Sequence, residues 1–171
     1  MALFRDGAFV ADEWIFPAAD AAVPAGGHVA VDKARFLAER EVLLARKGGL
    51  GLVLVAGDTL DGIEGDLARF ELIVLRFPRY ADGRPYSLAR AIRDTHGYRG
   101  ELRAGGDVLR DQVVFLLRSG FDSLEVTHPG TEEALRDGRI VAVRHFYQPA
   151  SPHAGERGAI GPSWRRCAGT R

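Results

Sequence analysis

Apolar positions divide the chain into alternating segments of strand and helix character. Two continuous apolar runs, residues 50–56 and 72–75, have the length of a strand and no polar face, which is typical of strands covered on both sides. Shorter apolar runs predict further strands at residues 28–31, 101–104 and 123–126. These five strands are separated by longer segments in which apolar residues recur every three or four positions.

The first two of these segments predict helices with recognisable starts. Asp32 is placed to cap a helix over residues 33–46, because an aspartate before the first helical turn can accept a backbone hydrogen bond. Its expected apolar stripe consists of Phe36, Leu37, Leu43 and Leu44. A second helix is predicted over residues 61–70, with Asp61 and Glu64 as an aspartate version of the capping box.

Glycines mark the ends of the next two predicted helices. One helix is expected to begin with Ser87 as its cap and to end at Gly97, which can adopt the left-handed conformation of a helix stop. The other is expected to begin with Asp107 as its cap, directly after a glycine turn at residues 105–106. Gly120 is its predicted stop.

The two ends of the chain have weaker patterns. Residues 3–16 predict a hairpin or two short strands. A turn at residues 128–130 precedes a predicted helix at 131–137. Residues 140–147 suit either a helix or a strand, and their valines and aromatic residues favour the strand. Residues 151–171 are rich in glycine and proline without apolar periodicity, which predicts a disordered tail.

Strands and helices that alternate about five times predict an α/β fold with a parallel sheet and right-handed crossovers. A complete eight-unit barrel needs about 250 residues, so the choice lies between a partial TIM-like barrel and an open doubly wound sheet. We divide the chain into an N-terminal hairpin and loop at 1–27, a single α/β domain at 28–150 and the tail at 151–171. A partial barrel has open edges, which a homodimer can cover.

Composition narrows the class of protein. The formal net charge of +0 favours neither nucleic acid nor an anionic membrane as a partner. No apolar run approaches the roughly 20 residues of a membrane span, and the N-terminus lacks a signal-peptide core, which predicts a cytoplasmic protein. Cys167 is the single cysteine, so an internal disulfide, a Cys-x-x-Cys pair and a thiolate cluster are excluded. The five histidines are scattered, and we predict no metal site.

Charged and turn-forming residues are most dense between residues 76 and 112. The loops at 77–87 and 105–111 follow successive predicted strands. Because ligands of parallel α/β folds bind beyond the carboxyl ends of the strands, we expect these two loops to converge on a site. The glycine turn at 105–106 lacks the spacing of a dinucleotide fingerprint or a P-loop, so it is either a tight turn or an anion-binding loop.

Arg103 is the most unusual charge, because it lies within a predicted strand. Burying it requires a ligand or a carboxylate partner, for which Asp82 and Asp107 are candidates. Arg93 is expected to be a solvated helix charge, and Ser87 a cap rather than a nucleophile. Tyr86 either contacts a ligand or packs. The candidate ligand-binding residues are Asp82, Arg84, Tyr86, Ser87, Arg90, Glu101, Arg103, Gly106, Asp107, Arg110 and Asp111. No catalytic residue and no particular cofactor is indicated.

Three motifs in this region carry a family resemblance. They are DGRPYS at 82–87, GYRGELRAGGDVLRDQ at 97–112 and SGFDSLE at 119–125. The chain resembles the bacterial family catalogued as domain of unknown function 934, over nearly its whole length up to residue 150. It departs from the pattern at Ser119, where many relatives carry cysteine, which weakens any thiol mechanism.

The resemblance implies a role in sulfur metabolism. Members of the family are typically encoded beside assimilatory sulfite reductase and the reductase for activated sulfate, and some are labelled as oxidoreductases without an established reaction. The expectation is an accessory protein that binds a small oxyanion, or one of these reductases, through an arginine-rich face of Arg84, Arg90, Arg103 and Arg110. The alternatives are a flavin- or NAD(P)-dependent oxidoreductase and a non-catalytic scaffold in which these charges pair internally.

Overall fold

An eight-stranded sheet forms the centre of the protein in a computed structural model that describes residues 2–139. The predictions for residues 140–147, for the tail at 151–171 and for Cys167 lie outside the described residues. The strands are β1 (Ala2–Arg5), β2 (Ala8–Val10), β3 (Trp14–Ile15), β4 (His28–Asp32), β5 (Leu50–Leu54), β6 (Leu72–Phe77), β7 (Glu101–Gly106) and β8 (Ser123–Val126).

Short helices connect these strands. The α-helices are α1 (Lys33–Ala38), α2 (Arg40–Ala45), α3 (Arg84–Arg90), α4 (Val113–Arg118) and α5 (Pro129–Arg136). Two segments, Glu64–Arg69 and Arg110–Gln112, are 3-10 helices, and Ala91–Thr95 continues α3 as a π-helical turn. Within residues 2–139, no helix has the length and apolar character needed to cross a bilayer.

The strand order decides between the two predicted architectures. The order is β2-β1-β8-β7-β6-β5-β4-β3, and β3 to β8 are parallel neighbours in sequence order. Right-handed crossovers that all advance in one direction place their helices on one face of the sheet. A doubly wound sheet needs a reversal of direction, which this order lacks, so that alternative is wrong. The sheet has the topology of a partial barrel, although it is mixed because β1 pairs antiparallel with β8.

The N-terminal strands lie at both edges of this sheet. The predicted hairpin is confirmed for β1 and β2, whose turn contains Asp6 (φ 52°) and Gly7 (φ 83°). β3 is not its continuation, because it pairs in parallel with β4 at the opposite edge. Residues 11–13 alone join the two edges. Four extended residue steps cover about 14 Å, whereas eight flat strands would span about 34 Å. The sheet must therefore be strongly curled, and the connection crosses its concave face.

The two faces of the sheet differ in composition because strand side chains alternate. On the convex face, side chains such as Ile73, Leu75 and Leu102 pack with the helices in the main hydrophobic core. On the concave face, Ala30, Leu72 and Val74 form a second, smaller apolar cluster. Trp14, Phe16 and Val53 pack against this smaller cluster. The concave face also carries charged side chains.

Helix ends set by one residue were predicted correctly. Asp32 caps α1, and its Oδ1 accepts the backbone N–H of Arg35 at 2.8 Å. Gly97 and Gly120 both have positive φ, 65° and 102°, and each precedes a buried aromatic residue. These stops are local events in which glycine avoids the steric penalty of the left-handed region.

Other helix predictions need correction. The predicted helix at 33–46 is broken at Glu39, whose φ of −111° and ψ of 20° are not helical, and Leu37 is exposed rather than part of the apolar stripe. The Asp61 and Glu64 capping box is absent, and the segment is a 3-10 helix that begins at Glu64. Gly62 has a φ of 81°, which separates Asp61 from the helix.

Proline explains two misplaced helix starts. α3 begins at Arg84 with Gly83 as its cap position, so Ser87 lies within the helix and caps nothing. α5 begins at Pro129, where a turn was predicted. Proline suits the first helical turn, because its φ is already helical and the N–H that it lacks would have no partner there. Pro85 and Pro129 each lie in the first turn of a helix.

Candidate functional site

The loops that follow β6 and β7 converge, as predicted. Tyr80, in the loop after β6, donates its backbone N–H to Asp107 Oδ2 at 3.0 Å. Gln112, in the short helix after β7, donates its side-chain amide to the Tyr80 carbonyl. Asp107 and Gln112 therefore hold the β6–α3 loop in place at the carboxyl edge of the sheet. Asp107 was predicted to cap a helix, which is wrong because its carboxylate is used across the two loops.

Gly105 and Gly106 form neither a tight turn nor an anion-binding loop, because both belong to strand β7. Gly106 has a φ of 96°, and a Cβ there would overlap the Phe77 carbonyl oxygen on β6. A Cβ on Gly105 would lie 2.5 Å from Arg76 Nη1 and 2.7 Å from Glu125 Oε2. The glycines are thus required by close approach between neighbouring strands and by a side-chain pair that passes over β7.

A cavity of about 250 Å³ lies at the carboxyl ends of β5 and β6, between the sheet and α3. Its apolar walls are Leu54, Val55, Ala56, Leu75, Pro85 and Leu88. Arg84, Asp58, Thr59 and Arg76 are the polar residues that line it. A small pocket with apolar walls and few polar groups is the usual form of a ligand site, and this location matches the rule for parallel strands.

Arg84 is held in a defined orientation at this cavity. Its Nε lies 3.0 Å from Asp82 Oδ1 and its Nη2 2.6 Å from Asp82 Oδ2. These hydrogen bonds lower the pKa of Asp82 to about 2, and the same carboxylate raises the pKa of Arg84. Arg84 Nη1 lies 3.6 Å from a Cβ built on Gly57. No other hydrogen bond of this guanidinium occurs within residues 2–139, so Nη1 is available to a ligand.

The loop after β5 forms the opposite wall of the cavity. Asp58 Oδ2 accepts the backbone N–H of Val55 at 2.8 Å, and the Thr59 carbonyl accepts Lys33 Nζ at 2.7 Å. Gly57, which lies between Val55 and Asp58, has a φ of 106°, which favours glycine at this turn. Sequence analysis did not identify this loop as part of the site, although its glycine and aspartate directly follow a buried strand.

Arg103 lies in a different place from Arg84. It is fully buried on the concave face of the sheet, within what we call the interior charge cluster. The interior charge cluster is joined by ion pairs and by a hydrogen bond from Ser123 to Glu101, and it consists of Arg5, Asp12, Arg76, Glu101, Arg103, Ser123 and Glu125. Arg103 Nη1 donates to Asp12 Oδ2 at 2.8 Å, and its Nε donates to Glu101 Oε1 at 3.0 Å. The predicted partners Asp82 and Asp107 are wrong, because both lie beyond the strand ends and are used elsewhere.

Glu125 is the most buried carboxylate of this cluster, with 1% of its surface exposed. Its Oε2 accepts a hydrogen bond from Arg76, while its Oε1 lies 3.8 Å from Arg103 Nη1 and has no hydrogen-bond partner. Burial raises the pKa of Glu125, and the two arginines oppose this effect without cancelling it. The carboxyl of Glu125 therefore holds its proton more readily than a solvated glutamate does.

The remaining candidates do not join one arginine-rich face. Arg90 Nε lies 3.6 Å from Asp94 Oδ2 in the π-helical turn that continues α3, and Arg110 and Asp111 are exposed. Tyr86 packs on Phe77 with 5.2 Å between ring centroids. Burial, followed by the charge of Asp111, raises the pKa of the Tyr86 hydroxyl to about 12.

Arg103 is separated from Arg84 and Arg90 by the sheet itself, because α3 packs on the convex face. The predicted four-arginine surface is therefore split between two faces.

Ser119 ends α4, and its hydroxyl donates to the Phe115 carbonyl at 2.8 Å.

Arg93 was predicted to be solvated and is instead 3% exposed. It donates to three backbone carbonyls, those of Tyr98, Gly100 and Gly120, at 2.8–2.9 Å, and it pairs with Asp122. These residues lie near the amino ends of β7 and β8. The role of Arg93 is to satisfy loop carbonyls at the edge opposite the cavity.

Within residues 2–139, no group of three or more His, Cys, Asp and Glu side chains is arranged to hold a metal ion. Neither a curated protein nor a solved structure matches the chain. A family model described as "Bacterial protein of unknown function (DUF934)" matches residues 51–155, which is more than half of the chain and includes the cavity, α3 and β7. The chain therefore belongs to this bacterial family of proteins of unknown function.

Proposed function

We propose that this protein is an accessory protein of assimilatory sulfate and sulfite reduction that binds a small molecule carrying an oxyanion at Arg84. The observation that carries the proposal is the oriented guanidinium of Arg84 at the border of the 250 Å³ cavity. The sulfur pathway comes from the family resemblance, and sulfite, sulfate and sulfated nucleotides are all oxyanions.

The chemistry of the site supports an anionic ligand with an apolar part. A guanidinium donates N–H groups in a fixed plane, which suits the oxygens of sulfate, sulfite or carboxylate groups. Asp82 fixes the orientation of that plane, so less side-chain entropy is lost when a ligand binds. The walls of Leu54, Leu75 and Leu88 accept an apolar group and limit the access of water.

Two alternatives also have specific support. The apolar walls of the cavity suit the ring of a flavin or a nicotinamide, which favours an oxidoreductase. The ion pairs of Arg103 favour a scaffold, because an arginine that is paired internally needs no ligand. A reductase partner that binds the carboxyl edge of the sheet would leave the cavity without a small ligand.

A thermal-shift titration distinguishes these possibilities, because specific binding to the native state raises the unfolding midpoint with ligand concentration. The ligands are sulfite, sulfate, adenosine phosphosulfates, FMN, FAD and NADPH. The variant is Arg84→Ala, and the matched control is Arg136→Ala. Arg136 is similarly exposed, 57% against 65%, and is also paired with a nearby acid, but it lies on α5.

A midpoint increase with a sulfur oxyanion that disappears in Arg84→Ala and persists in Arg136→Ala supports the proposal. The same result with a flavin or NADPH favours the oxidoreductase. An increase that persists in Arg84→Ala places the ligand elsewhere and contradicts the proposed site. No increase with any ligand contradicts small-molecule binding and favours a reductase partner or a scaffold.

A further inference from the structure

The positive and negative charges of the interior charge cluster balance, but one carboxylate lies outside the strands that carry the other two. The cluster contains three arginines and three carboxylates. Glu101 and Glu125 project from the central strands β7 and β8, where the backbone is paired on both sides. Asp12 lies in the exposed connection of residues 11–13, outside any strand. The carboxylate of Asp12 is therefore the one that can leave Arg103 without disrupting the sheet.

The segment that carries Asp12 is attached by few contacts. We call residues 11–16 the N-terminal strap. The strap pairs with the sheet through the two residues of β3, which are in register with the first two residues of β4. The Asp12 carboxylate accepts two hydrogen bonds. Its Oδ1 accepts the Trp14 backbone N–H at 3.2 Å, and its Oδ2 accepts a hydrogen bond from Arg103. The strap is thus held over the concave face largely by Asp12, Trp14 and Phe16.

The cluster beneath the strap has unused hydrogen-bonding capacity. Arg103 Nη2 is buried and has only an ion pair with Glu101 Oε1, at 2.9 Å and without hydrogen-bond geometry, and Glu125 Oε1 is buried with no hydrogen-bond partner in the part of the chain that the structure describes. These two side chains are 0% and 1% exposed, so bulk water does not satisfy them. One is a donor and the other an acceptor. A ligand that satisfies both must offer an anionic oxygen to Arg103 and a hydroxyl to Glu125.

We propose that the interior charge cluster is a covered binding site for a small hydroxyl-bearing oxyanion, and that Asp12 occupies Arg103 in place of this ligand. Hydrogenphosphate and bicarbonate have the required chemistry, as does a hydroxycarboxylate. The ligand displaces the Asp12 carboxylate from Arg103, and the strap moves away from the concave face. This site is separate from the cavity at Arg84, because the sheet lies between them.

Trp14 provides a direct signal for movement of the strap. Its indole packs beside His28, with ring centroids 5.1 Å apart, and covers Gly51, where a Cβ would lie 2.8 Å from the indole. Displacement of the strap exposes this indole to water and shifts its fluorescence to longer wavelength. The chain has a second tryptophan, Trp164, so the measurement uses a Trp164→Phe background.

The test removes the carboxylate of Asp12 and supplies a soluble anion in its place. Asp12→Ala is compared with Glu13→Ala, which removes the same charge from the adjacent exposed position. Both are titrated with inorganic phosphate and with acetate, while chloride keeps the ionic strength constant. In Asp12→Ala we expect phosphate near saturation to raise the unfolding midpoint by about 5 °C. Phosphate should bind at least ten times more tightly to Asp12→Ala than to the Trp164→Phe parent, in which it must displace Asp12.

Two further variants locate the binding site. Asp12→Ala combined with Arg103→Met is expected to lose the response to phosphate, whereas Asp12→Ala combined with Arg84→Ala is expected to keep it. Where Asp12→Ala does not fold, Asp12→Asn replaces it, because the amide keeps the size of the side chain and can still accept the Trp14 N–H.

Equal responses of the Asp12 and Glu13 variants would overturn the proposal, as would a response that survives the loss of Arg103. Loss of the response with Arg84→Ala would also overturn it and would assign phosphate to the cavity. A response that depends on Arg103 while the Arg84 cavity binds nothing would support this site and contradict the proposed function alone.

Discussion

Arg103 and Arg84 are each held by a carboxylate, yet the interior charge cluster and the cavity place them in opposite environments. The side chain of Arg103 is 0% exposed and that of Arg84 is 65% exposed. A buried ion pair cannot lose one member without leaving the other charge uncompensated, whereas an exposed pair is replaced by water at little cost. The folded structure therefore requires a negative charge beside Arg103, whether from Asp12 or from a ligand, whereas it tolerates the loss of Arg84.

The largest expected effect is on the buried side of this comparison. Arg103→Met leaves the carboxylate of Asp12 without its cation and that of Glu101 with Arg5 alone, and we expect the free energy of unfolding to fall by about 3–5 kcal/mol. Urea denaturation measures it, with the exposed Arg136→Met as control. A loss below about 1 kcal/mol would show that Arg103 is not an integral part of the core.

A methyl group tests how tightly the interior charge cluster is packed. Gly105→Ala places a Cβ against Arg76 Nη1 and Glu125 Oε2, and we expect a loss of about 1–3 kcal/mol from strain and from separation of this pair. Gly65→Ala is the matched control, because a Cβ at Gly65 meets nothing within 4 Å. Equal stabilities for the two variants, measured by urea denaturation, would contradict the role of Gly105.

The raised pKa of Glu125 predicts a smaller, pH-dependent effect. Its folded pKa lies above the unfolded value of about 4.3, so the folded state holds the proton more tightly over that interval. The stabilising contribution is complete below the unfolded pKa and is lost as the pH rises through the folded pKa. Urea denaturation across this pH range should show that this contribution to the free energy of unfolding falls with rising pH in wild type and is absent in Glu125→Gln. A wild-type and a variant curve of the same shape would contradict the prediction.

The smallest expected effect on stability belongs to the cavity. Arg84→Ala should leave the free energy of unfolding nearly unchanged, because the Arg84 side chain is 65% exposed and water screens its pairing with Asp82. The same variant should abolish the midpoint increase that a bound oxyanion causes in wild type. A large loss of stability in the absence of ligand would place Arg84 with Arg103 as a structural residue and remove the contrast between the two regions.

The elements that sequence predicted correctly are those that depend on neighbouring residues. The apolar runs of β5 and β6, the cap at Asp32 and the stop at Gly97 each arise from interactions within a few positions. Helix starts were misplaced at Ser87 and at the turn before α5, because those predictions did not use the preference of proline for the first helical turn.

Part of the interior charge cluster also left a signal in the sequence. Glu101 and Arg103 alternate with apolar residues in β7, and Ser123 and Glu125 do so in β8. This alternation indicates one polar face shared by two adjacent strands. Sequence analysis named Arg103 as a charge within a strand and Glu101 as part of the dense charge set, and the alternation in β8 would have added Glu125.

Sequence by itself determined the alternating α/β architecture, the family and the unusual position of Arg103. Tertiary structure alone decided which acid pairs with Arg103, because Asp12 lies 91 positions away and reaches it only where the connection between the sheet edges crosses the concave face. It also divided the arginines between two faces. Charge pairing depends on distance and burial, and both follow from the order and curvature of the strands rather than from their local sequence.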